Sequence, residues 1–157
     1  MNREILMLQE QIREAWEGEP WYGRNIGELI LEVNEKTAFQ KPSGQHSIME
    51  LVWHMINWKA FVINRLKKES TISLSVFETN DWRDLDHTDN SLWSKGLSEL
   101  ERVHKELVDL ISQQNDGLLA QKVEGKSYNY RKMLHGVHEH DIYHAGQIAY
   151  LKKLLQP

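Results

Sequence analysis

Apolar residues recur along this chain at spacings of three and four, broken by a few glycine, proline and asparagine clusters, and that rhythm predicts helices throughout. Over residues 3–16, Ile5, Leu8, Ile12 and Trp16 form one stripe, which Gly18, Pro20 and Gly23 then interrupt. Over 24–36, Ile26, Leu29, Ile30 and Val33 repeat the pattern and predict a second helical piece, followed by a turn at Pro42, Ser43 and Gly44. Residues 48–66 are apolar at 13 of 19 positions, too many for one narrow stripe, so this helix is expected to be buried among its neighbours. The polar stretch 69–88 reads as a long loop whose large anchors are Phe77 and Trp82. Asp89, Asn90 or Ser91 is expected to cap a further helix with Trp93, Leu97, Leu100, Val103, Leu107, Leu110 and Ile111 as its core stripe, ending before Asn115, Asp116 and Gly117. The last helix, 129–155, places Met133, Leu134, Val137, Ile148, Leu151 and Leu155 on one side. Helical stripes without strand alternation predict an all-α fold, a four-helix bundle.

Composition narrows this picture. A chain of 157 residues, 40% hydrophobic and 27% charged, suits one domain spanning 1–157 with one core. It has no cysteine, so disulfides, thiolate metal ligands and cysteine nucleophiles drop out together, and any metal must sit on nitrogen or oxygen. Arg3, Glu4, Glu10, Arg13 and Glu14 interrupt the first apolar runs, so neither a signal peptide nor a membrane span is expected and the natural location is cytoplasmic. A net charge of −4 with no basic patch disfavours nucleic acid as a partner.

The histidines change the picture most. His140 and His144 lie four apart on the last helix, which sets them on one side with an offset of about 40° and roughly 6 Å. Val137, Gln147 and Leu151 continue that face, so the pair lies along the core stripe, whereas His135 and His138 turn elsewhere. Chance alone gives about 0.4 such pairs at this histidine content, so a third ligand must carry the argument. His54, in the most apolar helix with Leu51 and Trp58 on its own face, is that candidate. Each histidine alone is more simply a hydrogen-bonded core residue; the triplet is what points to a divalent metal, and neutral imidazoles suit zinc, nickel or iron. His104 also falls on a core stripe, but packing explains it better.

The spacing of His140 and His144 is also that of the zinc-protease motif, with Asp141 where the general-base glutamate belongs. That acid is shorter, and residues 145–157 contain no histidine, aspartate or glutamate to serve as a downstream third ligand, so proteolysis is rejected.

The run Leu134, His135, Gly136, Val137 and then His140, Asp141, Ile142, Tyr143, His144, Ala145, Gly146, Gln147, Ile148 resembles the final helix of the DinB/YfiT-like metalloenzyme superfamily. His46, Ser47, Ile48, Met49, Glu50, Leu51, Val52, Trp53, His54 and Trp58 look like its second-helix signature, and Pro20, Trp21, Tyr22 and Gly23 extend the likeness upstream. The resemblance implies a bundle of up-down-down-up order, a three-histidine metal site on His54, His140 and His144, frequent homodimers, and thiol-dependent transferases or isomerases as active relatives in bacteria.

Three neutral ligands leave an ion its full charge and open positions, which favours a metal-dependent enzyme acting on a small molecule. A thiol held there loses its proton near neutral pH, so a cysteine-free protein can carry out S-transfer with a borrowed low-molecular-weight thiol; water in its place would give a hydrolase. Gln147 and Tyr143 are the candidates for orienting the ligands, Trp58 and Trp82 for walling the pocket. The ion is expected to be zinc or nickel, with iron and manganese behind them. A noncatalytic metal-binding stress-response protein is the competing reading, and a helical scaffold whose histidines bind nothing is the third.

Overall fold

The structure is a computed structural model that describes residues 2–68 and 72–156. Among these residues there are eight helices and no β-strand: α1 (Arg3–Glu17), α2 (Ile26–Leu31), α3 (Glu35–Phe39), α4 (Ile48–Lys67), α5 (Leu74–Thr79), α6 (Leu92–Ser112), α7 (Asp116–Leu119) and α8 (Tyr130–Leu155). No helix of the described residues is long and apolar enough to cross a membrane. The four long helices build the core: α4 packs on α6 and α8, and α1 packs on the same two.

Local chemistry sets several boundaries, though Ser91 begins α6 without a side-chain cap bond. Ser47 starts α4 with a reciprocal cap, its hydroxyl accepting from the Glu50 amide at 3.2 Å while the Glu50 carboxylate accepts from the Ser47 amide at 2.7 Å. Lys68 ends that helix in the left-handed conformation at φ 56°. The stripe predicted for α6 is buried at Trp93, Leu100, Val103, Leu107 and Ile111, while Leu97 and Leu110 are half-buried. Asn129 opens α8 by accepting from the Lys132 amide at 3.0 Å.

Three stretches differ from the sequence expectation. The single helix predicted over 24–36 is two short ones, because the Asn34 side chain accepts from the Thr37 amide at 2.8 Å and begins a new helix there. The predicted burial is unaffected, with Ile26, Leu29, Ile30 and Val33 all in the core. The loop expected over 69–88 contains α5, anchored by buried Phe77, while its first three residues lie outside the described ones. Asp116, read as part of a stop signal, opens α7, and its carboxylate accepts from the Ile5 amide at 2.9 Å, capping the start of α1 from 111 residues away.

His104 is buried on α6 and stacks on Trp16 of α1, ring centroids 4.3 Å apart. Burial, with the Lys59 charge adding to it, pushes its imidazole down to about 3. A folded-state value below the unfolded one means that protons favour the unfolded chain, so the His104 contribution to stability is complete above the ordinary histidine value and lost as pH falls toward 3. At pH 5 the loss amounts to about 2 kcal/mol. Urea unfolding at pH 7 and pH 5 is expected to show at least that loss in the wild type, since other buried histidines add to it, and a shallower pH dependence in His104→Leu; equal dependence would remove His104 as a contributor.

Candidate metal centre

The α4 helix delivers His54, and α8 delivers His140 and His144 one turn apart. Their Nε2 atoms converge, 2.9 Å from His54 to His140 and 3.1 Å from His140 to His144. The three ligand atoms lie within 4.8 Å of one another, with His54 and His144 buried and His140 half-buried. His104, stacked on Trp16, is not among them.

The partners of the outer two rings fix which nitrogen carries the proton. His54 Nδ1 lies 3.0 Å from the Asp81 carbonyl oxygen and 3.0 Å from its carboxylate, and oxygens of this kind only accept, so Nδ1 donates. His144 Nδ1 likewise donates to Gln147 Oε1 at 2.6 Å. Both Nε2 atoms therefore present bare lone pairs to His140 Nε2, which carries at most one proton and can satisfy only one of them. His140 Nδ1 is buried with no hydrogen-bond partner among the described residues. Burial first, then the neighbouring imidazoles, pushes His140 down to about 3, and burial lowers His54 and His144 below the ordinary histidine value. All three are neutral near pH 7, the form that binds metal. Two nitrogens that are each roughly 2.1 Å from one ion stand about this far apart when their bonds meet near a right angle. The donor set thus fits a divalent cation, which can use all three lone pairs where a hydrogen bond cannot.

Gln147, a sequence candidate, holds His144; Tyr143, the other, is exposed with its ring 5.1 Å from that of His144. Trp82 stacks between His46 and His54, at 3.6 and 4.0 Å, with each pair 7° from parallel. Trp82, His46, Tyr143, His144 and Gln147 line a cavity of about 560 Å³. Trp58 lines a different cavity, about 210 Å³, to which His140 also contributes.

Sequence reasoning missed Asp81. It follows α5, whose Phe77 carbonyl accepts from the Asn57 side chain on α4 at 2.8 Å, and its carboxylate also accepts from Trp58 Nε1 at 2.6 Å. An acid in a polar stretch carries no periodic signal; its one pointer was the adjacent anchor Trp82.

The family profile described as the DinB superfamily matches residues 21–148 of this chain. No curated protein matches it. No solved structure does either.

Proposed function

From the chain's membership of the DinB superfamily, which the match over residues 21–148 establishes, we propose that it is a divalent-metal-dependent enzyme of the thiol-transferase type that uses a low-molecular-weight thiol. The observation that carries this reading is the convergence of three neutral Nε2 atoms, two of them held with their lone pairs inward by Asp81 and Gln147. Held by His54, His140 and His144, a divalent ion, zinc or nickel before iron or manganese, would supply the Lewis acidity that favours the ionised form of a thiol near neutral pH.

The chain's own groups do the rest. Asp81 and Gln147 keep the Nδ1 protons of His54 and His144 in place, which raises the basicity of the ligating nitrogens and fixes the ring planes. Trp82 covers the open face of His54 and separates it from the His46 ring. The cavity beside His144, walled by Leu151, Tyr150 and Leu154, has the size and apolar lining that a small substrate needs. Three histidines with no further histidine or acid in their cluster among the described residues favour a catalytic centre over a closed structural one. Family membership also supports an up-down-down-up order of the four long helices and a homodimer as the working form.

Protein purified without a histidine tag or chelator, then loaded with metal, is expected to consume thiol in the presence of an electrophile panel faster than the metal-free control. Full metal content with no excess consumption would favour the noncatalytic reading, and release of hydrolysed product without thiol would favour a hydrolase.

A further inference from the structure

Lys59 of α4 and Asp141 of α8 form an ion pair inside the protein, at 0% and 4% exposure. Such a pair gives little net stability, because withdrawing two charges from water costs about as much as their attraction returns. Its position suggests another role. Asp141 directly follows His140, about 100° further around α8, and Lys59 lies five residues, about 1.4 turns, beyond His54 on α4. The Lys59 ammonium also stands 5.8 Å from the Trp16 ring of α1, and that ring stacks on His104 of α6, so all four long helices meet around the pair. Asp141 Oδ1 is buried without a hydrogen-bond partner among the described residues, which leaves Oδ2 and Lys59 to hold the carboxylate.

Apolar side chains repack against one another at modest cost when volume is kept, so they set helix register loosely. A buried charge pair cannot slide in this way, since either ion would be stranded in a low dielectric. We propose that the Lys59–Asp141 pair is the positioning device of the metal centre, fixing the rotation and axial register of α8 against α4 so that His140 and His144 stand opposite His54. The proposal rests on the reading that the triad binds a divalent ion. Neither residue belongs to the nitrogen cluster; both act through the placement of His140.

The test replaces both charges with apolar groups of similar size, Lys59→Met with Asp141→Leu, and compares the full chain with wild type. Three quantities are read: the metal-free thermal midpoint, the Co²⁺ dissociation constant by competition, and the visible d–d spectrum of the Co²⁺ form. The expected result is a midpoint at or above wild type together with Co²⁺ binding weakened tenfold or more, as when outer partners of a metal ligand are lost, and an altered spectrum. A folded double variant with wild-type affinity and spectrum would overturn the proposal. Should that variant not fold, Asp141→Glu decides, because it keeps the charge pair but lengthens it by one methylene: weaker binding with a shifted spectrum supports the role, and unchanged values reject it. Wild-type protein that binds no Co²⁺ would instead bring down the metal reading on which the proposal stands.

Discussion

Replacing His140 with alanine is expected to cost the protein its metal, weakening affinity by more than about 100-fold, beyond the roughly 10–100-fold range set by outer partners of a ligand. The argument is geometric. His140 Nε2 is the middle atom of the cluster, 2.9 Å from one neighbour and 3.1 Å from the other, and alanine leaves only the two nitrogens that flank it. Asp81→Ala should sit between this variant and wild type and nearer to wild type, because it removes the carboxylate beside His54 Nδ1 but keeps the backbone carbonyl that accepts from the same nitrogen, and it removes no ligand atom. Elemental analysis gives the stoichiometry, and competition titration gives the affinities. Thermal midpoints supply an independent readout: an ion that binds the folded state raises the wild-type midpoint by mass action and should leave His140→Ala nearly where it was. Stoichiometric metal retained by His140→Ala would refute the triad.

The second large effect concerns stability. Asp141→Leu alone strands the Lys59 ammonium in the core, and removing one partner of a buried pair costs about 3–5 kcal/mol. For a domain of this size that lowers the metal-free midpoint by roughly 6–20 °C, where the double apolar replacement recovers it. Burial already pushes the Asp141 carboxyl upward against the pull of Lys59, so the environment is dry enough for the penalty to be felt. A change under about 1 kcal/mol would show that the ammonium reaches water once its partner is gone.

Periodicity made the long helices legible, because Ile5 to Trp16, the crowded apolar run around His54, the Trp93 to Ile111 stripe and the Met133 to Leu155 stripe each extend over three turns or more. It was blind to the break at Asn34, where a side-chain cap divides a continuous apolar pattern without changing which residues are buried. It also missed α5, six residues long with one buried side chain, too short for any stripe to emerge. The histidine cluster was legible for the same reason as the helices: two ligand candidates share one face, and the third stood out among apolar neighbours. Gln147 followed from its place one turn beyond His144. Asp81 arrives from outside the long helices, Lys59 passed unremarked within the apolar run of α4, and Asp141 was weighed only as the acid of a protease-like spacing, so only the assembled core reveals what they face.

The segment that supplies Asp81 and Trp82 lies between α5 and α6 and belongs to no helix, yet it supports one ring of the centre and shields it. Non-helical segments open at far lower free energy than the packed core. On the proposed metal reading, exchange of the ion is expected to follow opening of this segment and not unfolding of the whole protein. A variant stabilised elsewhere, with this segment untouched, is expected to exchange loaded Co²⁺ at the wild-type pace, as stopped-flow chelator competition would read.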